Sequence, residues 1–267
     1  MKKRIVILGA GESGAGSAVL AQQQGFDVFV SDKGKIKEQY RGMLLANKIP
    51  FEEETHTMDL ILNADEVIKS PGIPEKNPVV IALHEKGIHV ISEIEFAGRY
   101  TDAVKICVTG SNGKTTVTNM IFHMMKKAGL KVAMTGNVGN SFAMSVAEGG
   151  YDYYVIELSS FQLDGMYDFR ADIAILMNVT PDHLDRYGYE MQNYVDSKFR
   201  VIRNQRAEDC FIWCADDPVS IREMNRISLM SRSLPFSLEK CEGMAACIDN
   251  DGLGVDYARA VVLREGG

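Results

Sequence analysis

Twice in this chain a short apolar run breaks into a glycine-rich turn and restarts as a helical pattern. The stretches are "RIVILGAGESGAG" (4–16) and "VKICVTGSNGKTT" (104–116). A strand that ends in glycine and hands over to a helix opens a βαβ unit, which demands a parallel partner strand and places helices on the sheet faces. Strand-like runs and helical patterns alternate after each opening. The first set holds "DVFVSD" (27–32), "EVIKSPGIP" (66–74) and "HVIS" (89–92), with helical stretches at about 13–24, 36–47 and 77–87. The second holds "KVAMT" (131–135), "YDYYVIEL" (151–158), "ADIAILMNV" (171–179) and "DCFIWCA" (209–215), with helices up to about 128 and over 191–203. The fold class is therefore α/β: an N-terminal parallel-sheet domain over 1–93, joined near 93–103 to a second α/β domain over 94–267. A length of 267 residues supports two separate cores. Beyond about Pro235 the pattern changes, and "AACIDNDGLGVDY" (245–257) reads as a hairpin turning at Asp249–Gly252.

The first turn spaces Gly9, Gly11 and Gly14 as G-x-G-x-x-G, with Asp32 where a dinucleotide site sets its ribose-binding carboxylate. That fingerprint alone is a weak signal and leaves a nicotinamide-linked oxidoreductase open. The second turn is more specific. Gly110, Ser111, Asn112 and Gly113 lead into Lys114, Thr115 and Thr116 at a strand-to-helix junction. Glycines let backbone N–H groups approach phosphate oxygens, and the helix N-terminus adds partial positive charge. The lysine reaches the terminal phosphates and the next hydroxyl can ligate Mg²⁺. Val108 stands where the usual motif has its first glycine. Hydride transfer leaves this loop unexplained. Polar groups then recur just past strand ends: Glu157 followed by Ser159 and Ser160, and His183 between Asp182 and Asp185. Lys198 lies four residues after Tyr194, on the same helix face.

A formal net charge of −7 gives no electrostatic footprint for nucleic acid, so an anionic ligand needs a local site. No run approaches the ~18 apolar residues of a membrane span. The opening "MKKRIVILGAGES" ends in glycines where a leader would have a cleavage site. The five cysteines, Cys107, Cys210, Cys214, Cys241 and Cys247, form no CxxC pair. The expectation is a cytoplasmic chain with reduced thiols and no membrane contact.

The stretches "TGSNGKTT" (109–116), "TGNVG" (135–139), "ELSSFQL" (157–163), "NVTPDHLDRYG" (178–188) and "YVDSK" (194–198) together resemble the Mur ligase family of ATP-dependent amide-forming enzymes in peptidoglycan precursor synthesis. The first domain, with "LGAGESGAG" and "KSPGIP", resembles the branch that adds D-glutamate to UDP-N-acetylmuramoyl-L-alanine. The resemblance implies that 1–93 is a Rossmann-like UDP-substrate-binding domain and 94–267 a P-loop α/β central ATPase domain, with ATP and Mg²⁺ as cofactors, an acyl-phosphate intermediate, and a monomer. It makes Lys114, His183 and Lys198 catalytic. Gly110, Ser111, Asn112, Gly113, Lys114, Thr115 and Thr116 would bind ATP. Thr115, Glu157, His183 and a carbamylated Lys198 would serve metal. Glu12, Ser13, Asp32, Ser70, Gly72, Asn137, Ser159, Gln162 and His183 would bind the UDP-sugar substrate, with Asp32 at the uracil. Family members carry a third, amino-acid-binding domain that has no counterpart in this sequence. The expectation is a partial chain without a D-glutamate site and with little ligase activity alone. A non-catalytic nucleotide-binding module, a folate polyglutamylating ligase or another Mur-type ligase are the alternatives.

Overall fold

The computed structural model describes residues 2–239, 241–249 and 252–255, and these form two compact units. The first takes residues up to Asp102 together with 135–150 and 161–169; the second takes 103–134, 151–160 and the described residues from Arg170 onward.

The first unit runs β1 (Arg4–Leu8), α1 (Glu12–Gln23), β2 (Asp27–Ser31), α2 (Glu38–Ala46), β3 (Phe51–Glu52), α3 (Met58–Ile61), β4 (Glu66–Lys69), α4 (Pro78–Glu85), β5 (His89–Ile91) and α5 (Glu93–Gly98). Its strands form one parallel sheet in the order β3-β2-β1-β4-β5. Ile5, Val6, Ile7 and Leu8 are all buried, because helices cover both faces of a parallel sheet. Val6, Leu8, Phe29 and Val67 pack with Val79, Val80 and Leu83 of α4. The chain leaves β1 for a strand on one side and later places β4 on the other. This switch point opens a crevice at the strand ends, beside Gly9 and Ser70.

The chain continues in a similar rhythm through β6 (Val104–Thr109), α6 (Lys114–Lys127), β7 (Val132–Gly136), α7 (Phe142–Glu148), β8 (Tyr153–Glu157), α8 (Ser160–Asp164), β9 (Ile173–Leu176), α9 (Met191–Phe199), β10 (Cys210–Cys214), α10 (Pro218–Met224), β11 (Arg232–Ser237), β12 (Ala246–Asp249) and β13 (Gly252–Val255); of these, α7 and most of α8 belong to the first unit, and the second unit is built mainly on the strands. The sheet order is β13-β12-β11-β10-β9-β6-β8-β7. β6 is parallel to both β8 and β9, so its loop lies between theirs. Its core gathers Ile106, Val108, Val155, Ile173 and Ile175 around Met125 of α6.

Three features depart from the sequence reading. The expected joining segment begins with a helix, α5. Its "SEIE" start is a capping signal: Ser92 Oγ accepts the Glu95 N–H at 3.2 Å. A strand, β11, runs through Pro235, whose carbonyl still accepts the Ala245 N–H at 2.7 Å. Cys241 and Cys247 are joined in a disulfide, which corrects the expectation of five reduced thiols. The turn closed by the Met244 N–H on the Cys241 carbonyl brings their Cα atoms to 5.1 Å, within disulfide reach. The hairpin strands β12 and β13 pair antiparallel as expected. Residues 250–251 of its turn, and 256–257, lie outside the described residues.

Candidate functional site

The first loop is set by Gly9, which turns at φ +87°; a Cβ there would meet Ser70 Oγ at 2.6 Å. Ser70 at the end of β4 donates its hydroxyl to the Gly9 carbonyl at 3.3 Å and its N–H to Leu8 O at 2.9 Å. Gly14 sits against the Gly9 carbonyl, where any side chain would collide. The result is a closed turn that aims the N-terminus of α1 outward, with Gly11 at the cap and open space beside it. Backbone N–H groups in this position bind phosphate.

Asp32, just past β2, has each carboxylate oxygen on a backbone N–H: Ala10 at 2.6 Å and Gly34 at 2.8 Å. It thereby pins the glycine loop to the loop after β2. Ser13 faces Glu93, described below. Glu12 lines a cavity of about 340 Å³ with Tyr40, Met43 and Met144, so its backbone N–H is what the helix end offers a ligand. Gly72 is in the turn closed by the Ile73 N–H on Ser70 O.

The second loop is built the same way with different chemistry. Gly113 caps α6 at φ +82°, a left-handed conformation that costs glycine little. Lys114 Nζ curls over the loop, donating to Gly110 O and Ser111 O, both at 2.9 Å. Thr115 Oγ1 donates to Glu157 Oε2 at 2.8 Å from the end of the neighbouring strand. Lys198, buried in α9, donates to Gly110 O at 3.0 Å and Thr109 Oγ1 at 3.3 Å. Thus Lys114, Thr115, Glu157 and Lys198 converge on one turn. A hydroxyl against an ionisable oxygen pair is a donor set that suits magnesium, which completes its shell with phosphate oxygens and water. Thr116 is exposed in the first turn of α6.

Residues the sequence reading passed over hold this loop in place. Ser111 N–H donates to Asn178 O, and Asn112 N–H to Asn178 Oδ1, both at 2.9 Å. Ser111 Oγ gives its proton to Thr180 O at 2.8 Å, so the Tyr194 hydroxyl 3.0 Å away donates to Ser111. Burial raises the Tyr194 pKa and keeps it a donor. Tyr194 therefore ties the loop to the helix that carries Lys198, whose Nζ lies 5.3 Å over the Tyr194 ring. The spacing of four residues was visible in sequence; the partner, Ser111, was not.

His183 follows on the same loop as Asn178 and Thr180. Its ring is 57% exposed and 3.6 Å from the Asp182 carboxylate, and its backbone is left-handed (φ 49°). Ser159 is half-buried directly after β8. Asn137, exposed in the turn after β7, and Gln162, buried in α8, fall in the first unit, whereas Ser159 and His183 fall in the second.

Glu93 is the other residue missed. It is 2% exposed at the N-terminus of α5, and its Oε1 accepts the Ala143 N–H at 2.9 Å. Burial pushes its carboxyl up to about 7, against the hydrogen bonds of Ala143, Ser13 and Ser141; the charge of Glu12 adds to the rise.

Fold and site together define an α/β protein with two separate phosphate-type loops, one of them equipped with a lysine, a hydroxyl and a carboxylate for a nucleotide and its metal. Residues 4–79 match the MurD N-terminal domain, and residues 108–246, more than half of the chain, match the Mur ligase middle domain. The chain belongs to the Mur ligase family. It is 58% identical over 248 residues to a UDP-N-acetylmuramoylalanine–D-glutamate ligase of Bacteroides fragilis, covering 93% of this chain and 56% of that protein. It is 52% identical to the protein of that name from Christiangramia forsetii, covering 96% of this chain and 57% of the relative. The chain thus spans about half the length of the curated relatives it matches. Among solved structures, a UDP-N-acetylmuramate:L-alanyl-gamma-D-glutamyl-meso-diaminopimelate ligase from Neisseria meningitides superposes with a TM-score of 0.65 at 20% identity, over 96% of this chain and 85% of that one. The alanine ligase MurC of Thermotoga maritima gives 0.55 at 20% identity, over 92% and 54%. These two likenesses carry the fold.

Proposed function

We propose that this chain supplies the UDP-substrate and ATP sites of a cytoplasmic, monomeric ligase that joins D-glutamate to UDP-N-acetylmuramoyl-L-alanine. The observation that carries the reading is the convergence of Lys114, Thr115, Glu157 and Lys198 on one glycine loop, in a chain with a second, lysine-free phosphate loop. Two phosphate loops of different chemistry suit two phosphorylated ligands. The likeness to relatives named for that reaction supplies the substrates.

In this reading residues 1–93 hold the UDP-sugar and 94–267 the nucleotide. The N-terminus of α1, at Glu12 and Ser13, receives the diphosphate, and Ser70 and Gly72 close the crevice. Asn137, Ser159, Gln162 and His183 address the muramoyl–alanine part. Lys114 exchanges its two loop carbonyls for the β- and γ-phosphates, at small net cost because one set of hydrogen bonds replaces another. Gly110, Ser111, Asn112, Gly113 and Thr116 line the phosphates. Thr115 and Glu157 would hold magnesium, whose charge would offset that of the phosphates. The substrate carboxylate would attack the γ-phosphorus and displace ADP, giving an acyl phosphate; the amine of D-glutamate would then attack the acyl carbon, and inorganic phosphate and a proton would leave as the amide forms. His183 stands at the reacting carboxylate. Lys198, buried against Gly110, would serve as a metal ligand once its deprotonated amine adds CO₂ and releases a proton, which turns an ammonium that repels a cation into a carbamate anion that attracts it.

The test is turnover in the intact enzyme. Lys198→Ala cuts D-glutamate-dependent phosphate release about 100-fold or more, as expected for loss of a transition-state charge partner, and excess bicarbonate does not restore it. Turnover like that of the unsubstituted enzyme would refute the assignment.

A further inference from the structure

At the end of β2 three side chains form a relay. Ser31 Oγ donates to Glu52 Oε1 at 2.6 Å and lies 2.7 Å from His56 Nδ1. The Thr57 N–H also donates to Glu52 Oε1, at 2.8 Å. Burial opposes ionisation of Glu52, but the hydrogen bonds of Ser31 and Thr57 and the nearby His56 outweigh it and hold the carboxyl below its ordinary value. An ionised carboxylate only accepts, so the single Ser31 proton is spent on Glu52. Ser31 Oγ must then accept from His56, which fixes a proton on Nδ1. Burial lowers the imidazole's affinity for a second proton, helped by Lys33 and opposed by Glu52 and Asp32. In the neutral ring that results, Nε2 is a hydrogen-bond acceptor. No described residue bonds to it.

The placement gives that acceptor a use. The Asp32 N–H donates to Glu52 O at 3.1 Å, and the Glu54 N–H to Gly34 O at 3.1 Å, so the loop carrying His56 is stitched to the loop carrying Asp32. The end of the second strand is where doubly wound sheets receive the nucleoside of a bound nucleotide. Asp32 holds the ground there, but each of its oxygens already serves the protein backbone. His56 brings the same rim an acceptor that has no partner among the described residues.

We propose that His56 Nε2 is a specificity-determining acceptor for the uracil imide N–H of a UDP-type ligand, in a tautomer imposed by the Ser31–Glu52 pair. The inference rests on the reading above that the first unit takes a UDP-sugar. Uracil presents N3–H to an acceptor. Cytosine presents a lone pair at the same atom, so the same contact sets two acceptors against each other. A buried polar group left unpaired rejects an analogue strongly.

The experiment is calorimetric titration of UDP, CDP and 2′-deoxy-UDP into the 267-residue chain and its His56→Ala, His56→Gln and Ser31→Ala variants. The unsubstituted chain prefers UDP to CDP by about tenfold or more, the scale of one matched hydrogen bond. His56→Ala weakens UDP about tenfold, leaves CDP unchanged and erases the preference. His56→Gln, which keeps an acceptor oxygen, restores part of it. Ser31→Ala releases the tautomer and reduces the preference without lowering the melting temperature by more than a few degrees. In the unsubstituted chain the preference falls as the pH is lowered until Nε2 takes up a proton, below the ordinary imidazole range because burial disfavours the charged ring, a readout that does not depend on any variant folding. A chain that binds UDP equally well with and without His56 would overturn the inference alone. Equal weakening of UDP and CDP with 2′-deoxy-UDP unaffected would overturn it in favour of a ribose contact. Failure of the unsubstituted chain to bind UDP would bring down the reading of the whole unit.

Discussion

Glu93 is a carboxylic acid with almost no water to ionise into. Its carboxyl is pushed up to about 7 in the folded chain, against an ordinary value of 4.5. The folded state therefore binds a proton that the unfolded state has released between those two values. The stabilisation is complete below about pH 4.5 and is lost as the pH rises through about 7. Two and a half pH units correspond to roughly 3 kcal/mol. Glu93→Gln keeps an acceptor for the Ala143 N–H and removes the ionisation. It is expected to melt higher than the unsubstituted chain at pH 8 and at the same temperature near pH 5. An advantage independent of pH would show that Glu93 is ionised throughout. At the second loop, Glu157→Gln leaves Thr115 a neutral oxygen partner but removes the carboxylate proposed to hold the metal. Titration of ADP with and without Mg²⁺ checks the consequence. The metal's enhancement of affinity drops about tenfold or more in the variant, while affinity in chelator is unchanged.

Among the elements, α1 is closely seated, with Gly14 to Ala21 all buried. Gly16 lies so close to Ser141 Oγ, at the cap of α7, that a Cβ would overlap it and press on the Met144 backbone N at 3.0 Å. Gly16→Ala is expected to cost about 1–3 kcal/mol by overpacking. Gly11→Ala, where a Cβ meets nothing within 4 Å, stays within about 1 kcal/mol. Chemical denaturation of the two variants separates them. The strand–loop–helix openings behind these elements were legible in sequence because glycine, a following helix and an apolar run coincide. What was not legible follows from interactions that sequence does not order. Pro235 argues against a strand, yet β11 forms, since only one ladder N–H is lost and its carbonyl still pairs. The "SEIE" cap was visible but read as linker, because α5 has only six residues, whose buried acids look solvent-facing. α7 follows the second loop in sequence, yet it clusters with the first unit through the Gly16–Ser141 approach. Of the candidate site, the Lys114, Thr115 and Glu157 set was readable from spacing and strand ends. The supports at Asn178, Thr180 and Tyr194, and the Ser31–Glu52–His56 relay, needed the sheet order to bring them together.

At the scale of the molecule the proposed function rests on two sites of independent chemistry. One glycine loop has its switch point between β1 and β4 and would take a diphosphate on helix N–H groups; the other lies beside β8 and β9 and adds Lys114 and the Thr115–Glu157 pair. Hydrogen exchange should display this as two footprints. A UDP-sugar protects amides of the Gly9–Ser13 turn and the Ser70–Ile73 turn, whereas ADP with magnesium protects Gly110–Thr116 and Asn178–Thr180. Protection of the first set by ADP would place the nucleotide in the wrong loop. The most direct measurement of the central claim is a crossed titration of the 267-residue chain and its Lys114→Ala variant with magnesium–ADP and with UDP-N-acetylmuramoyl-L-alanine. The variant is expected to lose ADP affinity about tenfold or more, because the one contact Lys114 can make to ADP, at the β-phosphate, is a charge-assisted hydrogen bond worth roughly 1.5–3 kcal/mol, and to bind the UDP-sugar as before. Unchanged ADP affinity in the variant, or an equal loss for both ligands, would contradict the claim.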